Sequence, residues 1–146
     1  MLIGTYQNNL GEKNRIALPK KFASELGNNI IITKGYDNCV MIVNEANWSK
    51  LIDSFSQIAF VNSEIRDTRR FLLGSAVEIN TDKQGRFVIP DNLKKYAKIQ
   101  KSGTFIGLLD WIELWDSEIW ELKENELNSD SSSIAQKVAN ILNKGN

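Results

Sequence analysis

One short motif occurs twice in this chain, about half a chain length apart. The segment Gly11–Pro19 (GEKNRIALP) is matched by Asp82–Pro90 (DKQGRFVIP), with the arginines and the prolines each 71 positions apart. A second echo, offset by 72 positions, relates Gly35–Asn38 to Gly107–Asp110. A period of about 71 residues is too long for one solenoid unit and suits a small half-domain. The chain therefore predicts two copies of one unit, related by a pseudo-twofold axis.

Both copies predict the same order of elements: a strand, a turn, a strand, a short helix, a hairpin and a longer helix. In the first copy the predicted strands are Leu2–Tyr6, Arg15–Leu18, Ile30–Ile32 and Cys39–Val43, and the predicted helices are Lys20–Leu26 and one that Asn44 caps and that ends near Ile58. A linking helix is predicted over residues 63–73, with Ser63 as its cap. The second copy then has the predicted strands Ser75–Asn80 and Arg86–Ile89, a hairpin around Asp110 and the helix Glu118–Leu127, which Ser117 caps. The polar linker Asn128–Ser133 and the tail helix Ile134–Asn143 follow.

A half of this size buries too little apolar surface to be stable alone. We therefore expect the two halves to share one core by exchanging strands. Short strands with non-local pairing predict an α+β fold, with a small β-barrel core and helices outside it. The predicted boundaries are 1–60 for the first repeat, 61–127 for the second, and 128–146 for the linker and tail helix.

Composition excludes several classes of function. The chain has no histidine and one cysteine, Cys39, which removes imidazole catalysis, histidine–metal sites, thiolate zinc clusters and an internal disulfide. It shows no phosphate-binding glycine loop and no metal-ligand constellation, so we predict no enzyme, no cofactor and no metal. The N-terminal segment lacks the basic region of a signal peptide, and no apolar run is long enough to cross a bilayer. These features predict a cytoplasmic protein.

A net charge of zero hides a segregation along the chain. Residues 1–109 hold fifteen basic and ten acidic side chains, a balance of +5, so the front of the chain could still bind nucleic acid. Residues 110–130 hold eight acids against Lys123 alone. This acidic run is typical of a solvated helix face, and it could also meet a basic patch on a neighbouring subunit.

The turn before each arginine has a conformational requirement of its own. Its fourth position is Asn14 in the first copy and Gly85 in the second. Asparagine and glycine are the residues that most easily adopt a positive φ, so we expect a left-handed backbone point there. One reading of the motif is purely structural, with the arginine held by Glu12 or Asp82.

The first copy also suggests a surface for DNA. Lys13, Arg15, Lys20 and Lys21 lie within nine residues and could contact phosphates. Arginine can bind guanine through two hydrogen bonds and asparagine can bind adenine in the same way. A solvated basic turn is the alternative. The candidate DNA-binding residues are Lys13, Asn14, Arg15, Lys20, Lys21, Lys83 and Arg86.

The doubled motif resembles the D-x-x-x-R signature of the MraZ family, which is related to AbrB-like swapped-hairpin DNA-binding domains. Three further segments are similar to the family: Met1–Gly4, Arg69–Ala76 and Ile112–Asp116. The second copy carries the whole signature. The first copy departs from it, with Gly11 in place of the acid and Asn14 in place of the glycine.

The resemblance implies a transcriptional regulator of the bacterial division and cell-wall gene cluster, located in the cytoplasm with the nucleoid. It implies binding to short repeated boxes of double-stranded promoter DNA by a ring of several copies, with no membrane and no small-molecule substrate. A structural or protein-interaction module with the same fold and no DNA readout remains an alternative. Neither the direction of regulation nor the number of copies follows from the sequence.

Overall fold

The computed structural model describes residues 1–56 and 60–144, and that part of the chain contains eight strands and six α-helices. The first half comprises β1 (Leu2–Asn9), β2 (Arg15–Ala17), α1 (Lys20–Leu26), β3 (Asn29–Lys34), β4 (Val40–Asn44) and α2 (Glu45–Ser56). The linking helix α3 is Ser63–Gly74. The second half comprises β5 (Val77–Asn80), β6 (Arg86–Val88), α4 (Asp91–Ala97), β7 (Ser102–Leu109), β8 (Ile112–Asp116), α5 (Ser117–Ser129) and α6 (Ser131–Lys144).

The two halves are joined through their strands. Six strands form an antiparallel sheet in the order β1-β7-β8-β4-β3-β5, and β2 pairs with β6 in a separate two-stranded ribbon. Strand β1 of the first half pairs with β7 of the second, and β5 of the second half pairs with β3 of the first. If each strand is replaced by its equivalent in the other half (β1 by β5, β3 by β7, β4 by β8), the strand order of the sheet reads the same from the opposite edge. The arrangement therefore has the pseudo-twofold symmetry that the repeat predicts.

The predicted β-barrel is wrong, although the α+β class is confirmed. Within the described residues the sheet is open, with β1 at one edge and β5 at the other. Closing a sheet requires a consistent tilt and stagger of all its strands. Here the ribbon β2–β6 and the helices α1 and α4 cover the inner face of the sheet instead, so burial of the apolar side chains does not require closure.

The core lies between that inner face and the covering ribbon and helices. Equivalent positions of the two halves supply it, since Ile16, Leu18 and Phe22 are matched by Phe87, Ile89 and Leu93 at the repeat distance. All six of these side chains are buried. Along each ribbon strand the central residue therefore points inwards, which leaves its two neighbours on the outward face.

The outer face of the sheet is covered by the longer helices. The Thr33 hydroxyl on β3 donates a hydrogen bond to the carbonyl of Leu72 in α3. Beside α5, Cys39 of the first half packs with Ile106 and Trp115 of the second half in a smaller buried cluster. The ring of Trp120 in α5 lies edge-on to that of Trp115, with centroids 5.4 Å apart. No helix among the described residues is long and apolar enough to span a bilayer.

Helix ends follow the expected chemistry with small shifts. Asn44 caps α2 as predicted, by accepting a hydrogen bond from the Asn47 backbone N–H at 2.9 Å. The predicted end of that helix at Ile58 lies outside the described residues. The predicted caps Ser63 and Ser117 are instead the first helical residues, because Asn62 and Asp116 accept the hydrogen bonds from the N–H groups of Ile65 and Ile119. Asparagine and aspartate are at least as good caps as serine.

The polar linker predicted at Asn128–Ser133 is much shorter than expected. Helix α5 continues to Ser129 and α6 begins at Ser131, so Asp130 alone separates them. Serine is well tolerated in the first turn of a helix, where its side chain can satisfy free backbone N–H groups. The polar composition of this segment therefore marks a helix boundary rather than an extended linker.

Candidate nucleic-acid interface

The two copies of the motif form closely similar turns. The Gly11 N–H donates to the Arg15 carbonyl at 2.7 Å, and the Asp82 N–H donates to the Arg86 carbonyl at 3.0 Å. Asn14 has φ +61° and Gly85 has φ +76°, which confirms the predicted left-handed point. The first turn also places Lys13 at φ +57°, so it contains two consecutive left-handed residues that are not glycine.

The ribbon brings the two arginines onto one face. In the antiparallel register Arg15 lies opposite Val88 and Ala17 lies opposite Arg86. Directly opposed residues share a face, and so do residues two apart on one strand. Arg15, Ala17, Arg86 and Val88 therefore form the outward face of the ribbon, and Arg15 and Arg86 are diagonal neighbours at about 7–8 Å between backbone positions.

The second arginine is held by the acid of its own turn. Arg86 Nε donates to Asp82 Oδ2 at 2.8 Å, and the backbone N–H groups of Arg86 and Gln84 both donate to Asp82 Oδ1 at 2.9 Å. The Arg86 backbone N–H and then its guanidinium hold the pKa of the Asp82 carboxyl below its usual value. The structural role proposed for the acid from the sequence is thus present in the second copy.

The first arginine has a different environment. Gly11 occupies the position equivalent to Asp82, so this turn has no carboxylate at that point. Arg15 is exposed, and within residues 1–56 and 60–144 its guanidinium has neither an ion pair nor a hydrogen bond, with Glu12 or any other residue. Its full set of donors is available to a ligand.

Strand exchange separates the basic residues that the sequence places together. Leu18, just before α1, donates its backbone N–H to the carbonyl of Gly85 at 2.9 Å. A Cβ at Gly85 would lie 3.5 Å from the Cβ of Ala23 in α1. The start of α1, with Lys20 and Lys21, therefore lies beside the second turn. The cluster read as one patch with Arg15 is in fact divided between the two ends of the ribbon.

The first turn lies instead beside the start of α4. The Ile89 N–H donates to the Asn14 carbonyl, and the Asn14 side-chain amide donates to Asp91 Oδ1, both at 2.9 Å. One of the two amide hydrogens of Asn14 is thus engaged within the protein. The remaining hydrogen and the amide oxygen are the groups that Asn14 could offer to a base.

The ribbon consequently has two ends of unequal charge. The Arg15 end consists of residues 11–15 with Asp91 and Asn92, and its two basic and two acidic residues cancel. The Arg86 end consists of residues 82–86 with Lys20 and Lys21, and its four basic residues and one acid leave +3. The unpaired arginine and the stronger positive charge therefore lie at opposite ends of one surface.

Sequence reasoning missed three residues of this surface. Ala17 and Val88 complete the outward face, and Val88 is 46% exposed although it is apolar. Alternation along the strands could have identified both, since Ile16 and Phe87 are the obvious inward residues. Asp91 had no such signal, because its partner Asn14 is 77 positions away. In the described parts of the chain no three carboxylate or thiol groups converge as a metal site.

Comparison with known proteins gives a consistent result. The sequence model of one family, described as "MraZ protein, putative antitoxin-like", matches residues 1–71 and again residues 72–142. Proteins named transcriptional regulator MraZ are similar over nearly the whole chain. That of Clostridium tetani is 42% identical over 141 residues, which cover 97% of this chain and 99% of that protein. That of Acetivibrio thermocellus is 37% identical over 139 residues, which cover 95% and 97%.

Proposed function

This chain belongs to the MraZ family, and we propose that it is a transcriptional regulator that binds specific sequences of double-stranded DNA. The observation that carries the proposal is the outward face of the ribbon. It presents Arg15, which has no partner in the described part of the chain, a second arginine held by one acid, and a basic helix start on one side of the molecule. The names of the relatives support the regulatory role.

The ribbon suits the major groove of DNA by its size and by its chemistry. The groove is about 12 Å wide and admits a two-stranded β-ribbon. Arg15 can form two hydrogen bonds with guanine, and the small apolar face of Ala17 and Val88 can contact the methyl group of thymine. Lys20, Lys21 and Lys83 are exposed at the Arg86 end, where they can contact phosphates without reading sequence.

Asn14 and Lys13 have a positional role in this proposal. Both lie in the left-handed turn that sets the direction in which Arg15 leaves the ribbon. The Asn14–Asp91 hydrogen bond ties that turn to α4. Lys13 is exposed and adds a phosphate contact beside Arg15. Arg86 contributes a base or phosphate contact once the groove competes with Asp82 for its guanidinium.

The finer features of the proposal derive from the family resemblance. They are the division and cell-wall gene cluster as target, repeated promoter boxes, a ring of several copies, a location at the nucleoid, and a swapped-hairpin origin for the exchanged strands. A ring would present several ribbons to several boxes, and multivalency then raises affinity without any new contact. It would also allow a chain of zero net charge to bind DNA through one positive face.

A protein-interaction module without DNA readout is the second candidate. The Asp82–Arg86 and Asn14–Asp91 contacts favour it, because both show motif residues stabilising the protein itself. The two candidates differ in what they predict for DNA. Only a regulator distinguishes a promoter sequence from a shuffled one.

The test is a titration of the protein with a duplex from upstream of its own gene and with a shuffled duplex of the same composition. We expect tighter binding to the promoter duplex, and we expect Arg15→Ala to remove most of the difference. Arg70→Ala is the matched control, because Arg70 lies on α3, is exposed and, among the residues that the structure describes, pairs only with Asp67 at 2.7 Å. Equal affinity of the wild-type protein for both duplexes would reject the proposal.

A further inference from the structure

The pseudo-symmetry of the chain is broken at the helices that follow α2 and α5. In the first half α3 lies over the outer face of β3. Its Leu72 is buried and accepts the hydrogen bond from Thr33, and the ring of Phe71 stacks on Tyr36 with centroids 5.2 Å apart. The outer face of β3 is therefore covered by α3. Helix α3 also packs against Tyr36 at the tip of the β3–β4 hairpin, although that side chain remains 57% exposed.

The equivalent surface of the second half has no such helix over it among the described residues. The hydrogen bond from Gly35 N–H to the Cys39 carbonyl is matched by that from Leu108 N–H to the Trp111 carbonyl, so Leu109 corresponds to Tyr36. Leu108 also lies opposite Ile3 in the β1–β7 register, on the outer face. Ile3, Leu108 and Leu109 are 44%, 40% and 57% exposed. We refer to these three residues as the β1–β7 patch.

Leu109 is further distinguished by its backbone. It has φ +72°, in the left-handed region. A leucine there is strained, and strain of this kind persists where the surrounding structure enforces it and is concentrated at functional positions. The turn holds an apolar side chain out at the tip of the hairpin, where a polar residue or glycine would be the ordinary choice.

An unpartnered apolar helix face exists elsewhere on the chain. Ile134, Val138, Ile141 and Leu142 follow helical spacing along α6 and form one stripe. Val138, Ile141 and Leu142 are all exposed. By position α6 follows α5 as α3 follows α2, so it is the pseudo-symmetric counterpart of the helix that covers β3.

The connection to α5 prevents α6 from covering its own sheet in the same way. Residues 60–62 are non-helical and precede α3, whereas Asp130 alone separates α5 from α6. Two helices that turn back on each other need a loop of about two to five residues. With one linking residue α6 does not turn back over its own sheet, and Val138, Ile141 and Leu142 stay exposed in the structure.

We propose that the apolar stripe of α6 docks on the β1–β7 patch of a second copy of this chain, in the place that α3 occupies on the first half. Charge agrees with this pairing. Helix α6 contains no acid, and Lys137 and Lys144 lie along one flank of its stripe, while Asp110 borders the patch and is exposed. The proposal rests on the homo-oligomeric form included in the proposed function.

The contact is heterologous, because each copy donates one surface and accepts on a different one. Such contacts continue from copy to copy and close into a ring when the rotation allows it. The donor and the acceptor can therefore be disabled separately. Ile141→Glu disables the donor and Leu108→Glu disables the acceptor. Asn143→Glu is the matched control, since it adds the same charge to the last turn of α6 on the face opposite the stripe.

The experiment measures the mass of each assembly by native mass spectrometry at micromolar concentration, after circular dichroism has verified folding. We expect the wild type and Asn143→Glu to form the same multi-subunit species. Ile141→Glu and Leu108→Glu should each be monomers of 16.6 kDa. An equimolar mixture of these two variants should form a dimer at twice that mass and nothing larger, because only one productive contact remains. Ile3→Glu provides a second acceptor variant if Leu108→Glu fails to fold.

Three results would overturn the proposal: a monomeric wild type, single variants that keep the wild-type mass, or a mixture that stays monomeric. None of them bears on the ribbon. A failure of DNA recognition would be seen independently, as equal affinity of an intact assembly for promoter and shuffled duplexes.

Discussion

The side-chain amide of Asn14 donates a hydrogen bond to the carboxylate of Asp91 at 2.9 Å, and this bond joins a turn of the first half to a helix of the second. It places a negative charge beside Arg15 without pairing to it. At the other end of the ribbon Asp82 pairs directly with Arg86. The two arginines therefore share one face of the protein, but only Arg86 must break an ion pair with a carboxylate of its own turn before it can bind DNA.

Arg15→Ala should weaken binding to the promoter duplex more than Arg86→Ala does. The Arg15 guanidinium has no ion pair or hydrogen bond with any described residue. Loss of a two-bond contact to guanine costs about 1–3 kcal/mol per engaged site. Arg86 must first leave Asp82, so its net contribution is smaller. Binding isotherms on promoter and shuffled duplexes measure both effects. Arg15→Lys keeps the charge, so it should lose the preference for the promoter duplex over the shuffled duplex while keeping general affinity for DNA. Equal losses for the two alanine variants would show that both arginines contact DNA equally.

Asp82→Asn should increase the affinity for DNA. An amide oxygen can still accept the backbone hydrogen bonds of the turn, but it releases the Arg86 guanidinium from a charged partner. Asp91→Asn is the control, because it also removes one negative charge near the ribbon and frees no arginine from an ion pair. A larger gain for Asp82→Asn than for Asp91→Asn, measured at the same salt concentration, isolates the contribution of Arg86.

The pH dependence of this pair follows from the lowered pKa of Asp82. A carboxyl whose pKa is lower in the folded state stabilises the fold at pH values above its unfolded pKa of about 3.9. That stabilisation is lost as the pH falls through the lower, folded pKa. The carboxylate of Asp82 should thus stay ionised and paired with Arg86 at pH values well above about 3.9. A loss of melting temperature in Asp82→Asn that is present at neutral pH and shrinks as the pH is lowered below about 3.9 would verify the sign.

Lys20→Ala combined with Lys21→Ala should weaken binding to all DNA alike. Each phosphate contact changes the slope of log affinity against log salt by about 0.9, so the double variant should flatten the slope by roughly 1–2. Lys50→Ala is the control, since Lys50 lies on α2 at the outer face of the sheet, away from the ribbon. A double variant that loses affinity for the promoter duplex only would assign these lysines to base readout instead.

Gly85→Ala should destabilise the protein by about 1–2 kcal/mol, since φ is +76° there and a side chain in the left-handed region is strained by that order. The new Cβ would also lie 3.4 Å from the Leu18 carbonyl oxygen. Gly74→Ala is the control, because it lies in α3 with nothing within 4 Å of a new Cβ. It should raise stability by about 0.4–1 kcal/mol. Denaturant unfolding of both variants provides the comparison.

Much of the local structure could be predicted, because it depends on neighbours in sequence. The bounds of α1, the left-handed positions Asn14 and Gly85, and the cap at Asn44 follow from residue type alone. The register of the second hairpin did not follow. Matching Gly35 with Gly107 suggests an offset of 72, but the hydrogen bonds match Gly35 with Leu108, because that hairpin is one residue shorter.

The composition of the site depended on long-range pairing and was therefore hidden. Lys20 and Lys21 are near Arg15 in sequence, yet β2 carries the chain along the ribbon to the opposite end before α1 begins. The same pairing of β2 with β6 places Asp91, at the start of α4, at the Arg15 end of the ribbon. Counting charges within a short stretch of sequence therefore adds together residues that lie at different ends of the ribbon in the folded protein. Only the register Arg15–Val88 shows which charges share an end.

The pairing of β1 with β7 also sets an order in time during synthesis. Leu2–Asn9 leaves the ribosome first, and its partner Ser102–Leu109 follows about one hundred residues later. At roughly 5–20 residues per second, the first strand waits about 5–20 s for its partner. During that interval Leu2 has no core to enter, and the strand presents free backbone groups that other nascent chains could pair with. Translation speed through the second half therefore sets how long the first strand stays without its partner.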